Sequence, residues 1–143
     1  MADCRFLTLY DVKSAAEIEE SALTTAWSEK QIEETLGNEN ALYLVAKEDG
    51  NIVGIASAYN ILGDAEILNI AVKEEYRGRK IGKLLLNSLI NELKNKNASR
   101  ITLEVAEDNE RAIALYEKNG FEPIYRRKNF YRGKDAIVME MVL

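Results

Sequence analysis

Residues 66–83 have the sequence EILNIAVKEEYRGRKIGK, and this stretch indicates the fold. Its apolar beginning predicts a strand over residues 66–73. Apolar residues that recur at helical spacing predict an amphipathic helix over residues 81–95, lying on a sheet. Between the two stands a basic turn without an acidic residue, Tyr76-Arg77-Gly78-Arg79-Lys80-Ile81-Gly82-Lys83. Free N–H groups at a helix N-terminus, beside glycines and cations, favour a polyphosphate ligand, and a solvated basic helix start is the alternative.

Two short helices are predicted near the N-terminus. Asp11 is expected to cap the first helix. Ser28 and Gln31 have the spacing of a capping box for the second helix. Gly37 stands where a left-handed residue commonly ends a helix.

The remaining segments predict a mixed α/β fold. Two strand-like runs flank an Asp49-Gly50 step, which suits a hairpin turn. The predicted order is two helices, three strands, a helix, a strand, a helix and a strand, with a mostly antiparallel start and a crossover after the third strand. The other predicted segments are strands at 42–47, 52–60, 100–105 and 137–143 and a helix at 110–119.

The composition excludes several kinds of chemistry. The 143 residues are 47% hydrophobic and 30% charged, as expected for one domain over residues 1–143. There is no histidine and only one cysteine, Cys4, so a Ser-His-Asp or Cys-His pair, a zinc cluster and an internal disulfide are excluded within the chain. Proton transfer must therefore use carboxylates, tyrosine, lysine, water or the main chain.

Charge and hydropathy limit the expected partners. The formal net charge of −5 argues against a general nucleic-acid binder, which would carry a basic surface. The chain has neither a leader-like beginning nor an apolar stretch of about 18 residues, so we expect no membrane association and a cytoplasmic location.

The basic turn resembles the pyrophosphate-binding motif of the GCN5-related N-acetyltransferase (GNAT) family, Q/R-x-x-G-x-G/A. Arg77 stands first and Gly82 last, and Lys80 replaces the first glycine. The sequences LNIAV at 68–72 and AIALYEKNGF at 112–121, preceded by Asn109, resemble flanking segments of the same family. Within the family, AWSE at 26–29, LEV at 103–105 and NFY at 129–131 resemble the branch that acetylates the N-terminal alanine of ribosomal proteins.

This resemblance implies a fold and a cosubstrate. The family's mixed, mostly antiparallel central sheet is flanked by helices and contains two splayed parallel strands. Acetyl-CoA binds between those strands and pairs with the main chain of one of them. The residues implied to bind it are Ile70, Ala71, Val72, Arg77, Gly78, Arg79, Lys80, Ile81, Gly82, Lys83 and Asn109, and no metal is implied.

The resemblance also implies a catalytic pair. Glu104 would act as the general base and Tyr116 as the general acid. From periodicity alone, Glu104 is a solvent-facing strand carboxylate, because Ile101, Leu103 and Val105 occupy the other face. Tyr116 by the same reasoning is a packed aromatic residue of a helix. A phenol of pKa about 10 is protonated at neutral pH and can donate to a thiolate of pKa about 8.5.

The expected acceptor is the N-terminal amine of a protein. Trp27 and Tyr131 resemble residues near the peptide-binding region, although each also suits a purely packing role. Two alternatives stay open: acetylation of a small amine such as a polyamine, and a CoA-binding interaction module without turnover.

Overall fold

The computed structural model describes residues 1–131 and 133–143, and its strands form one sheet. The strands are β1 (Asp3–Phe6), β2 (Ala41–Glu48), β3 (Asn51–Ile61), β4 (Asp64–Val72), β5 (Arg100–Ala106), β6 (Glu122–Tyr131) and β7 (Lys134–Val142). Their order across the sheet is β1-β2-β3-β4-β5-β7-β6. Neighbouring strands are antiparallel except β4 and β5, which are parallel.

Helices cover both faces of this sheet. They are α1 (Val12–Ala22), α2 (Glu29–Thr35), α3 (Ile81–Asn95) and α4 (Glu110–Lys118). The apolar stripe of α3, including the fully buried Leu85 and Leu89, packs on one face. Ile18 of α1 and Ile32 of α2 pack on the other face against Tyr43. Among the described residues, no helix is both long and apolar enough to cross a membrane.

Strands β4 and β5 separate soon after they begin to pair. Their register contains three pairs, of which Glu66 with Thr102 is the last. Beyond that pair, β4 continues to Val72 beside β3 alone, and β5 continues to Ala106 beside β7 alone. The predicted mixed, mostly antiparallel sheet with two splayed parallel strands is thus confirmed.

Local signals around the hairpin and the long helix are also confirmed. The helix α3 has the predicted bounds. Asp49 and Gly50 have φ values of 53° and 80°, which is the geometry that a two-residue hairpin turn between β2 and β3 requires. Ser28 accepts a hydrogen bond from the Gln31 main-chain N–H, and Gln31 accepts one from the Ser28 N–H, which completes the capping box.

Two helix-end predictions are wrong. Asp11 does not cap α1 with its side chain. Its carboxylate instead accepts hydrogen bonds from Arg5 at 2.6 and 3.0 Å and from the Thr8 N–H at 2.8 Å, and these partners, Arg5 first, lower the pKa of Asp11 to about 2. Gly37 is not left-handed. Helix α2 ends in hydrogen bonds to the residue three positions back, such as that from the Gly37 N–H to the Glu34 carbonyl at 3.3 Å.

The strands β1 and β6 are absent from the predicted order. Strand β1 has only four residues. The sequence of β6, EPIYRRKNFY, contains a proline and three consecutive cations, which weaken the strand signal. Both features are tolerated because β6 is an edge strand that pairs with β7 alone.

Candidate active site

A cleft of about 940 Å³ lies along the part of β4 that no longer pairs with β5. One wall is the exposed edge of β4, and the others are the N-terminal turn of α3, the helix α4 and the end of α1 at Ala22 and Leu23. All residues implied to bind the cosubstrate line it except Arg79. Tyr116 lines it too. The structure therefore brings these sequence-predicted positions, from three separate segments, to one cavity, whereas Glu104 is not among its described lining residues.

The edge of β4 offers main-chain groups to this cleft. The Lys73 N–H donates to the Val53 carbonyl of β3 at 2.8 Å. Because hydrogen-bonded pairs alternate along an antiparallel ladder, Ala71 also bonds toward β3, whereas Ile70 and Val72 direct their N–H and C=O groups to the opposite side. Among the described residues, no strand pairs with that side of β4 after Glu66. The Val72 carbonyl already accepts a hydrogen bond from Nε of Arg77 at 3.3 Å. An extended amide-containing ligand can supply partners for the Val72 N–H and for the N–H and C=O of Ile70.

The basic turn presents an uncapped helix N-terminus. Helix α3 begins at Ile81, and its N-cap residue Lys80 makes no side-chain capping bond. Gly78 and Lys80 have left-handed backbones, with φ of 82° and 64°. The lysine thus adopts the conformation that the motif glycine favours. The first residues of α3, Ile81, Gly82 and Lys83, line the cleft. The N-terminus of a helix carries N–H groups without a partner in the helix and the positive end of the helix dipole.

The charge of the cleft is one-sided. Five described cationic residues line it: Arg77, Lys80, Lys83, Arg111 and Lys118. No described acidic residue lines it. In a chain with a net charge of −5, this concentration of positive charge suits a polyanion. Arg111 and Lys118 of α4 were not predicted, because their exposed helical positions carry no phosphate-site motif.

Arg79 lies outside the cleft. Its guanidinium contacts Glu48 at 3.2 Å and stacks 4.9 Å from the centre of the Tyr76 ring. Arg77 lies at the cleft, and its Nε donates to the Val72 carbonyl at 3.3 Å. The two arginines of the turn therefore have different surroundings.

Glu104 lies on β5 just beyond the last pair with β4. The buried and less buried residues of β5 alternate as predicted, and Glu104 is on the face that α1 covers elsewhere in the sheet. Its Oε1 is 3.1 Å from Nε of Arg127, and its side chain is 19% exposed. Glu66 shares this face; burial first, and then the neighbouring Glu104, raise the pKa of Glu66, while Arg127 opposes that shift.

Tyr116 and Asn109 belong to α4. The Tyr116 ring packs edge-on against Phe121, with ring centres 5.9 Å apart. Asn109 caps the helix, because its Oδ1 accepts from the Ala112 N–H at 3.2 Å. Since Asn109 also lines the cleft, its capping and ligand-facing positions coexist. Arg127, in contrast, is not among the sequence-predicted site residues, because the sequence does not predict β6.

Of the two residues expected near the acceptor, Trp27 is described with its side chain and Tyr131 by its main chain alone. Trp27 lies between α1 and α2, with its ring 6.4 Å from Tyr43 and 6.5 Å from Tyr59. The main chain of Tyr131 ends β6, and its side chain lies outside the described residues. No group of three or more described acidic or cysteine side chains is arranged to hold a metal ion.

Comparison with known proteins identifies the fold and its chemistry. The sequence profile of the acetyltransferase (GNAT) family matches residues 12–121. The [ribosomal protein bS18]-alanine N-acetyltransferase of Haemophilus influenzae is 40% identical over 145 residues, covering 98% of this chain and 94% of that protein.

Two solved structures are similar over nearly their whole length. The crystal structure of the ribosomal-protein-S18-alanine N-acetyltransferase from Escherichia coli has a TM-score of 0.90 at 34% identity, covering 99% of this chain and 94% of the other. A GNAT family acetyltransferase from Elizabethkingia anophelis with acetyl-CoA bound has a TM-score of 0.80 at 25% identity, covering 99% and 98%. With the cationic cleft and the open edge of β4, these likenesses show that the chain belongs to the acetyltransferase (GNAT) family and is an N-acetyltransferase that uses acetyl-CoA.

Proposed function

We propose that this chain acetylates the N-terminal α-amine of a protein, the alanine of a ribosomal protein, with Glu104 as general base and Tyr116 as general acid. The relatives from Haemophilus influenzae and Escherichia coli carry names that state this acceptor. Their similarity extends over 98% and 99% of this chain, so it includes the elements on both sides of the cleft. The proposed site comprises the cleft, Glu104 and the face of the sheet on which Glu104 lies.

The observation that carries this proposal is the divergence of β4 and β5 at Glu66 and Thr102. On one side of the divergence, the free edge of β4 and the five cations suit a long anionic thioester with amide groups. On the other, Glu104 lies two residues beyond the last pair, on the opposite face from α3. An amine that approaches over this face reaches the point where β4 and β5 diverge, next to the carboxylate of Glu104.

The residues of the chain then have distinct tasks. Acetyl-CoA supplies the activated acetyl group when bound. The main-chain groups of Ile70 and Val72 hold the donor in an extended conformation, and the N-terminal turn of α3 holds its phosphates. Glu104 accepts a proton from the acceptor ammonium, and Tyr116 donates one to the departing sulfur. No side chain of the protein becomes acetylated.

The chemistry favours an α-amine over a lysine side chain. The pKa of an N-terminal amine is about 7.7 to 8.0, whereas that of lysine is about 10.4. At neutral pH a carboxylate base therefore removes a proton more easily from an N-terminal ammonium group than from a lysine ammonium group.

The proposal is tested by an acceptor panel. The purified chain is mixed with acetyl-CoA and a peptide that begins with Ala and contains an internal lysine. Matched reactions contain the same peptide with a formylated N-terminus, or a polyamine. We expect free thiol release only with the unblocked peptide, and fragment mass spectra that place the acetyl group on its α-amine. Thiol release with the polyamine alone, or acetylation of lysine in the blocked peptide, would contradict the proposal.

A further inference from the structure

Glu19 is a fully buried carboxylate that the proposed mechanism does not use. It lies in α1 and has an exposed fraction of 0%. Among the described residues, no cation lies within salt-bridge distance of it. Burial raises the pKa of Glu19, against the effect of its hydrogen bonds. A carboxyl group in such surroundings is costly, so the contacts that it makes require an explanation.

Those contacts join three segments to α1. The Tyr43 hydroxyl of β2 donates to Oε2 of Glu19. The main-chain N–H of Trp27, in the connection to α2, donates to Oε1 at 2.9 Å. The Asn69 amide of β4 donates to the same oxygen at 3.4 Å. Glu19 thus links the segment that contains Trp27 to the strand whose next residue, Ile70, lines the cleft.

Trp27 belongs to the same face of the sheet as Glu104. Its half-buried ring lies 6.5 Å from Tyr59 of β3. Tyr59 is directly opposite Glu66 in the register of β3 and β4, and Glu66 is opposite Thr102 of β5. Directly opposite residues project to the same face, and Glu104 is two residues further along that face. Trp27 therefore stands at one end of a row that leads to Glu104.

We propose that Glu19 is a positioning residue for the acceptor: by holding the main chain at Trp27 and the amide of Asn69, it fixes the wall against which the acceptor peptide binds. This inference rests on the proposed function. Glu19 lies below the acceptor surface and touches neither substrate. Its loss is therefore expected to change acceptor binding while leaving the donor cleft and the catalytic pair in place.

Steady-state kinetics with two replacements test this role. Glu19→Leu keeps similar volume but removes both acceptors, which leaves the Trp27 N–H and the Tyr43 hydroxyl without partners. Glu19→Gln retains an oxygen for the Trp27 N–H and places its amide at the Tyr43 oxygen. We expect Glu19→Leu to raise the KM for the Ala peptide about tenfold, the effect of one lost buried hydrogen bond, with an unchanged KM for acetyl-CoA. Glu19→Gln and the exposed control Glu20→Leu are expected to stay near wild type.

The fluorescence of Trp27 gives a readout that does not depend on activity. Trp27 is the only tryptophan of the chain, so its emission reports this segment alone. We expect a red shift and stronger acrylamide quenching in Glu19→Leu, and wild-type spectra in Glu19→Gln and Glu20→Leu. If Glu19→Leu does not fold, Glu19→Asp replaces it. The shorter side chain cannot reach Trp27 and Tyr43 together, and the same changes are expected at smaller size.

The outcomes separate this inference from the proposed function. Unchanged Trp27 emission and peptide KM in a folded Glu19→Leu or Glu19→Asp variant would overturn the positioning role. An equal rise of both KM values would overturn it as well, because a general structural defect explains that result. If the wild-type chain acetylates no N-terminal peptide, the proposed function fails, and the spectra still show whether Glu19 holds Trp27.

Discussion

The two sides of the split between β4 and β5 differ in what they offer a ligand. The donor wall, formed by residues 70–72 and 77–83, presents main-chain groups, an uncapped helix N-terminus and cations. The proposed acceptor face, formed by Trp27, Tyr59, Glu66, Glu104 and Arg127, presents individual side chains from separate elements. Backbone recognition tolerates changes of side chain, whereas acid–base chemistry depends on single groups. Replacements on the acceptor face should therefore lower turnover, whereas replacements on the donor wall should lower the affinity for CoA.

The largest effect is expected at the catalytic pair. Glu104→Gln removes the proposed base, and kcat should fall about 10²- to 10⁴-fold, with activity recovering toward higher pH as more of the acceptor amine is neutral. Stopped-flow thiol release and calorimetric titration with CoA measure rate and donor affinity separately. The affinity for CoA should be unchanged. Glu117→Gln, an exposed residue of α4, is the control for the same chemical change. A near-normal kcat in Glu104→Gln would show that Glu104 is not the general base.

A comparable loss of turnover is expected when the proposed acid is removed. Tyr116→Phe keeps the ring that packs on Phe121 but lacks the phenol proton. We expect kcat to fall about 10²-fold or more, with the free energy of unfolding and the affinity for CoA little changed. Thiol release measured with chemistry as the slow step checks this. The assignment would be contradicted if the variant turned over at the wild-type rate.

On the donor wall, we expect a loss of affinity rather than of chemistry. The double variant Arg77→Ala/Lys83→Ala should weaken CoA binding roughly tenfold or more, because it removes two cations from the cleft. The loss should shrink at high ionic strength, since salt screens exposed charges. Titration calorimetry at two salt concentrations measures both quantities. Lys94→Ala, at the far end of α3, removes a similar charge and should have no effect. Equal affinities in the double variant and this control would contradict the donor wall as described.

A smaller effect is expected from the cation beside Glu104. Arg127→Ala removes the guanidinium that lies 3.1 Å from the Glu104 carboxylate and helps to hold it in place. We therefore expect kcat/KM for the Ala peptide to fall a few-fold at neutral pH. Lys128→Ala, at an exposed residue that contacts Asp135, should leave kcat/KM unchanged in the same assay. Equal values of kcat/KM in Arg127→Ala and this control would show that Arg127 does not assist Glu104.

The smallest effect concerns the left-handed lysine of the donor wall. Lys80→Gly removes the strain of a φ of 64° and should raise the free energy of unfolding by about 0.5–1 kcal/mol. Lys80→Ala removes the same charge but keeps a β-carbon in that conformation, so it should show no such gain. Both variants should lose a similar few-fold in CoA affinity. Thermal unfolding of the pair measures the difference, and equal stabilities would show that the backbone there is unstrained.

The same contrast explains how much the sequence predicts. The donor wall is formed largely by consecutive residues, so its motif was recognisable, and the bounds of α3 followed from its apolar spacing. The strand β6 and Arg127 were not recognised, because an edge strand carries cations and proline without a buried pattern. Glu19 shows the same limit. Its burial depends on contacts with residues 24 and 50 positions away, which no local pattern reveals.

The central claim, that donor and acceptor bind on opposite sides of the split and meet at it, is tested most directly by a crystal structure. The chain would be crystallised with CoA joined covalently to the α-amine of an Ala peptide. We predict that the extended arm of the CoA pairs with the main chain of Ile70 and Val72, and that the phosphates lie at residues 77–83. The peptide should cross the face between Trp27 and Glu104. A CoA arm away from β4, or a peptide on the face that α3 covers, would contradict the account.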